Sequence, residues 1–270
     1  MSAFVTIGNT DYHYESVGTG DALIFIHAGI AHMGMWDAQM MAFSLDYRVV
    51  RYDVRGFGQT KNPAGTYRDH DDLAALLDAI HIQSAYIVGA SNGGRISLDF
   101  AIAYPARVKK LVLVCPAASG MQMGVHITED DIALEAPIEE AFEAGDLEKA
   151  ARLEVAHWIV GPNRDEDVIS DELRKLTYEM SLSVFQIPEE DDEGENDMLE
   201  PPALQRMDEV RAPTLVIQST DDARYHVPLS QTIAAGIPGA HLEMIADAGH
   251  LPNMEHPARF NTLVRDFLDG

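Results

Sequence analysis

Within the run YIVGASNGGRISLDF (86–100) a serine sits between glycines, Gly89-Ala90-Ser91-Asn92-Gly93. A G-x-S-x-G turn that follows a strand and opens a helix holds its serine on a tight bend with the hydroxyl projecting above the sheet, where it can attack a carbonyl. Gly89 and Gly93 then have a mechanical purpose, because side chains there would block the approach of strand and helix. The backbone N–H of Asn92, at the start of the helix, would point toward a developing oxyanion. The motif alone is a weak signal: at ordinary glycine and serine frequencies of about 7% each, a chain of this length contains one by chance roughly one time in ten.

A serine hydroxyl is a poor nucleophile without a base, and the base needs an orienting carboxylate. The stretch ADAGHLPNMEHP (246–257) places His250 in a loop after the last strand-like run, and STDDARYHVP (219–228) places Asp221 and Asp222 after the preceding one. The chain order is Ser, Asp, His, which differs from the orders of the chymotrypsin and subtilisin types. A glycine before His250 and a proline two residues after it mark a turn with an exposed ring. His226, His256 and His32 read as loop or surface residues, with His32 or Trp36 as secondary candidates for the pocket. Cys115, the single cysteine, ends a strand beside that of Ser91 and reads as buried filler. It leaves no internal disulfide and no cysteine-based metal site.

These groups must be carried by a scaffold. Short β-branched runs alternate with helical patterns, the signature of an α/β fold with a largely parallel sheet. The runs are ALIFIHA (22–28), YRVVRYD (47–53), SAYIVGA (84–90), VKKLVLVCP (108–116), TLVIQST (214–220) and AHLEMIAD (240–247). AFVTIG and DYHYESVG near the N-terminus add an antiparallel edge, giving eight strands. Leu73, Leu76, Leu77 and Ile80 share one helix face, and Pro257 suits the first turn of a last helix. Residues 121–208 break the rhythm with amphipathic helical patterns. They predict a helical cap inserted after the sixth strand, over the carboxyl edge where ligands bind in open α/β folds; residues 1–120 and 209–270 form the core domain. Met121, Met123, Trp158 and Phe185 are candidates to face substrate from the cap. The acidic stretch PEEDDEGENDMLEPP (188–202) reads as a solvated, mobile loop, without the ligand spacing of an EF-hand.

The chain has 44 Asp plus Glu against 19 Lys plus Arg, a net charge of −25. Such a surface repels phosphate backbones and anionic lipids, so the expected partner is a small molecule and not a nucleic acid or a membrane. The acidity suits either solubility or high salt. With no basic leader and no long apolar run, the expected location is the cytoplasm. The protein is expected to be a monomer or a small homo-oligomer.

The sequence resembles the α/β-hydrolase superfamily over the whole chain except the cap. Gly249-His250-x-Pro252-x-x-Glu255-x-Pro257 is similar to the family's histidine loop, Asp53-x-Arg55-Gly56-x-Gly58 to its D-x-R-G-x-G segment, and LIFIHAG (23–29) to the strand and H-G-x turn. Ala28 stands where the family usually has glycine. The resemblance implies an α/β-hydrolase fold and a serine carboxylesterase- or lactonase-like enzyme that uses Ser91, His250 and Asp222. Its oxyanion hole would be the backbone of Asn92 and Gly29, with Ile30 as second choice for the latter, and no metal or organic cofactor would be needed. The family's G-x-x-D pattern favours Asp222; the long ARYHVP stretch keeps Asp221 as the alternative. His27 matches a structural histidine. Alternatives within the same fold are C–C bond or thioester hydrolysis, cofactor-free perhydrolase or lyase chemistry, and a ligand-binding receptor with residual activity.

Overall fold

A computed structural model describes residues 2–123 and 125–270. Eight strands form one sheet in the order β1-β2-β4-β3-β6-β7-β9-β10: β1 Ser2–Ile7, β2 Thr10–Val17, β3 Ala22–Ile26, β4 Arg48–Tyr52, β6 Ala85–Ala90, β7 Val108–Val114, β9 Thr214–Ser219 and β10 His241–Ile245. β1 and β2 pair antiparallel, as does β2 with β4, and every other neighbour is parallel. The eight predicted strands are these eight.

Alternation along the strands divides the apolar residues between two faces. Ile24, Ile26, Ile87, Leu111, Leu113 and Val216 pack on one side, and Leu23, Phe25, Val88, Val112, Val114 and Ile217 on the other. Helices α2 (Asp69–Ala79), α3 (Asn92–Ala103) and α7 (His226–Gly236) cover the first face, and α1 (Asp37–Phe43) and α9 (Pro257–Asp269) the second; a short α8 (Pro252–Glu255) precedes α9. Leu73, Leu76, Leu77 and Ile80 of the α2 pattern are all buried. Trp36 is fully buried against Phe25 and Phe260, so it serves the core and not the pocket.

Between β7 and β9 lie α4 (Glu129–Glu143), α5 (Leu147–Glu154) and α6 (Asp171–Phe185). The long helical pattern predicted before residue 160 is split at Gly145, whose φ of +75° ends α4. α5 then widens into a π turn at Val155–Val160, closed by Gly161.

The acidic stretch is largely solvent-exposed, as its composition suggests, but it is not all loop. Asp192–Asn196 forms β8, which pairs in parallel with β5 (Asn62–Tyr67) in a separate two-stranded sheet. Its charges find partners on the core: Lys61 holds Asp191 at 2.6 Å, Asn62 donates to Asp192 at 2.7 Å, and Arg68 holds Asp197 at 2.5 Å.

The sheet order reverses between β3 and β6, since β3 runs on to β4 at one side while β6 and β7 lie at the other. The crevice at the carboxyl ends of such a pair is where open α/β sheets bind ligands. Gly29 and Ser91 both follow those ends.

Candidate active site

Ser91 caps α3 with φ +52° and ψ −114°, a left-handed conformation for a non-glycine residue that costs of order 1–3 kcal/mol unless its surroundings enforce it. Packing does so. A Cβ on Gly89 would lie 2.1 Å from the Gly93 carbonyl oxygen, and one on Gly93 would lie 2.3 Å from that of Ile26. The Ser91 N–H donates to Val114 and its carbonyl accepts from Arg95 and Ala117, which locks the bend to the end of β7.

Asn92 follows with the first orphan N–H of α3. Its side chain is turned away, accepting from Arg95 Nε at 2.9 Å. Arg95 is in turn paired with buried Asp69, which also accepts from Asn196 of β8 at 2.6 Å. A chain of polar contacts therefore runs from the acidic strand to the serine turn. Gly29 lies alongside: a Cβ built there would touch that of Asn92 at 3.7 Å. The loop holding Gly29 is fixed by Asp53 and His27. Asp53 accepts from Met33 N and Gln59 N at 3.0 Å each, and His27 accepts from Val54 N at 3.0 Å and bonds the Ala28 carbonyl at 2.8 Å. The D-x-R-G-x-G segment thus acts as scaffold.

Between the two neighbouring acids the geometry distinguishes sharply. Asp222 bonds His250 Nδ1 with both oxygens, at 2.8 and 3.0 Å, with both side chains buried. Asp221 instead accepts from the Thr220 hydroxyl at 2.7 Å. Burial alone would raise the Asp222 pKa; the charges of His250 and His226 and hydrogen bonds from His250 and Gln218 outweigh it and hold the carboxyl well below the usual range. Gln218 and the Ala223 N–H donate to its two oxygens at 2.9 and 2.7 Å. With Nδ1 committed to Asp222, Nε2 is the nitrogen free to act as base. Cys115 follows Val114, the residue that bonds Ser91, and its sulfur lies within 4.8 Å of ligand atoms on both Asp222 and His250. Burial pushes its thiol pKa well up. The Ser91 hydroxyl makes no hydrogen bond to a described residue; such contacts are often long before substrate arrives.

The histidine loop is clamped from the segment between β7 and β9. His250 N–H donates to the Trp158 carbonyl at 2.8 Å, and the Trp158 ring packs on the imidazole with centroids 4.7 Å apart. A Cβ on Gly249 would lie 2.1 Å from the Ile159 carbonyl oxygen, which is why glycine precedes His250. Glu255 accepts from Gly249 N at 2.9 Å and holds Arg164 with both oxygens at 2.5 and 2.9 Å. Arg164 also donates to the Val160, Ile159 and Asp247 carbonyls.

The histidines outside this group divide. His32 accepts from Gly34 N and His256 bonds the Asp247 carbonyl, both partly exposed. His226 is not a surface residue. It is 3% exposed at the start of α7, with its ring 4.6 Å from that of His250 and 5.6 Å from that of Trp158. In the sequence it stands in the loop-like string STDDARYHVP (219–228); Trp158, from the segment between β7 and β9, packs against its ring.

A cleft of about 500 Å³ opens between α4, α6 and the π turn. Ile30, next to Gly29, and Trp158 are among its lining residues; Met123, Phe142 and Phe185 supply apolar wall, and Glu135, Glu139 and Glu154 its carboxyls. No lysine or arginine is among the described lining residues. Met121 packs instead against the core.

A serine on a strained strand-to-helix turn, with an Asp–His pair two strands away on the same sheet edge, is the arrangement that serine hydrolases of the α/β type use. The chain belongs to the α/β-hydrolase-fold family, whose model matches residues 21–257. It is 30% identical to the 2-hydroxymuconate semialdehyde hydrolase of Pseudomonas sp. (strain CF600), covering 93% of this chain and 88% of that one. Among solved structures it is similar to the enol-lactonase from Burkholderia xenovorans LB400, with TM-score 0.78 and 21% identity over 99% and 100% of the two chains. It is also similar to Est816, described as an N-acyl homoserine lactone degrading enzyme, with TM-score 0.75 and 25% identity over 98% and 100%. Among the described residues no helix is long and apolar enough to cross a membrane.

Proposed function

We propose that the protein is a serine hydrolase of uncharged carboxylic esters or lactones. Ser91 Oγ attacks the carbonyl carbon while its proton passes to His250 Nε2; Asp222 stabilises the imidazolium, and the Asn92 and Gly29 amides receive the oxyanion. Collapse of the tetrahedral intermediate expels the alkoxide, which leaves as the alcohol with the proton from His250. Water, deprotonated by the same imidazole, then attacks the acyl-enzyme and releases the acid. Each role is carried by the chain itself and calls for no metal or cofactor.

The observation that carries the substrate class is the cleft, with apolar walls, three carboxyls and no lysine or arginine. A carboxylate drawn into such a place would lose its hydration and meet like charge. C–C bond hydrolysis is the second reading, favoured by the 30% identical semialdehyde hydrolase. Its substrate, a muconate, is an anion by name, and this cleft offers it no arginine or lysine.

The two are separated by assaying the purified enzyme on neutral esters and lactones of varied acyl length and on 2-hydroxymuconate semialdehyde. We expect kcat/KM for the best neutral ester or lactone to exceed that for the semialdehyde by about tenfold or more, a difference of roughly 1.4 kcal/mol. A preference for the semialdehyde would replace the ester reading with the C–C one.

A further inference from the structure

The π turn at Val155–Val160 ends α5 against the histidine loop, and single π turns within helices are frequent at functional sites. The last carbonyls of a helix have no partner inside it, and here they are spent on that loop and on Arg164. The Trp158 carbonyl accepts from the His250 N–H at 2.8 Å. Arg164 takes those of Ile159 and Val160, at 2.9 and 2.5 Å. Trp158 also lays its ring against the imidazole, with centroids 4.7 Å apart and planes inclined at 49°. The residue is part-exposed and lines the cleft, so it stands where the cleft meets the base.

An imidazole that has taken the Ser91 proton is a cation, and three neighbours favour that form. Asp222 supplies a full negative charge at 2.8 Å. The carbonyl end of the π turn is the negative end of a helix dipole, which favours a histidine cation. The indole lies inside the distance of about 6 Å at which a cation is drawn to an aromatic ring, and tryptophan is the strongest of the aromatic side chains in this respect. An aliphatic side chain in its place would only keep water from the imidazole, which disfavours the charge. The other titratable and charged groups around His250 are Cys115 after β7, Tyr225 and His226 at the start of α7, Glu255 of α8, and His157 and Arg164 on either side of Trp158 in the chain. A substitution at position 158 leaves all of them in place.

We propose that Trp158 is a positioning residue for the reaction, holding His250 through its carbonyl and stabilising the imidazolium through its ring. This rests on His250 serving as the base in the reaction above, and not on which bond is broken. Trp158 makes and breaks no bond; it biases the protonation of the group that does.

The rate at which a fluorophosphonate labels Ser91, followed against pH, reads this bias, since labelling slows as His250 takes up a proton. Trp158→Leu keeps an apolar wall and loses the ring, and is expected to move the midpoint of that fall down by about half a pH unit or more. Trp158→Phe keeps a weaker ring and should move it less. A slower rate with an unmoved midpoint would make Trp158 a plain wall of the cleft, and an upward shift in Trp158→Leu would mean that the indole acts by excluding water; either result overturns the proposal. A second measurement needs no change at position 158. The other tryptophan, Trp36, is fully buried between Phe25 and Phe260, so a pH-dependent step in emission belongs to Trp158. A protonated imidazole quenches an indole that it touches. Wild-type emission is therefore expected to drop as pH falls through the labelling midpoint, and His250→Ala to lose that step. No step in wild type, or one that persists in His250→Ala, also overturns the proposal. Labelling uses no substrate, so a failed ester panel with these shifts intact would count against the ester chemistry and not against Trp158.

Discussion

Asp221 and Asp222 are adjacent in sequence and opposite in role. One is spent on the Thr220 hydroxyl, while the other is buried beneath His250 with Gln218 and a backbone amide completing its hydrogen bonds. Asp222→Asn should therefore lower kcat/KM by roughly 10⁴, the loss that a wrong imidazole tautomer causes in such a triad. Asp221→Asn should stay within a few-fold of wild type, and comparable losses in steady-state kinetics would refute the assignment. Ser91, Asp222 and His250 were legible as candidates because each lies within a few residues after a strand and carries short-range turn signals. His226 could not, because nothing within a few residues of it announces that Trp158 will close over its ring. The Arg95–Asp69 pair that turns the Asn92 side chain aside was equally hidden, being a contact between two helices.

The π turn after α5 and the loop that follows it meet the rest of the molecule at two points, Trp158 on His250 and the Arg164–Glu255 pair beneath the histidine loop. The turn's first neighbour, Glu154, has a carboxyl pushed up to about 7 by burial, partly offset by the Ser181 hydroxyl at 2.5 Å. Because the folded pKa lies above the unfolded value, this group's contribution to stability is complete below the unfolded value near 4.5 and is lost as pH rises through 7. Thermal unfolding of Glu154→Gln should therefore gain on wild type between pH 5 and pH 8, by roughly 3 °C or more; parallel curves would show that the carboxyl is not buried as described. At this scale the eight strands and α2 were legible from periodicity. β8 was not, because Asp192–Asn196 has the composition of a solvated loop and becomes a strand only through Asn62 and β5, some 130 positions away in the chain. The break at Gly145 was missed for a related reason, as the apolar pattern runs on past it.

The whole molecule places one chemical edge under one cover. The reversal of strand order between β3 and β6 sets Gly29 beside Asn92, β9 and the loop after β10 bring Asp222 to His250, and the segment between β7 and β9 supplies the cleft. A net charge of −25 and a cleft lined by no lysine or arginine among its described residues act in the same direction on substrate choice, since both disfavour anions. All of this depends on Ser91 being an activated nucleophile. The most direct measurement is labelling of the native enzyme with a fluorophosphonate, followed by mass spectrometry of its peptides, with His250→Ala as a comparison. The account predicts one adduct per chain, on Ser91, formed within minutes and slowed by about 10³-fold or more without the imidazole. A labelling rate unchanged by His250→Ala, or an adduct on another residue, would contradict it.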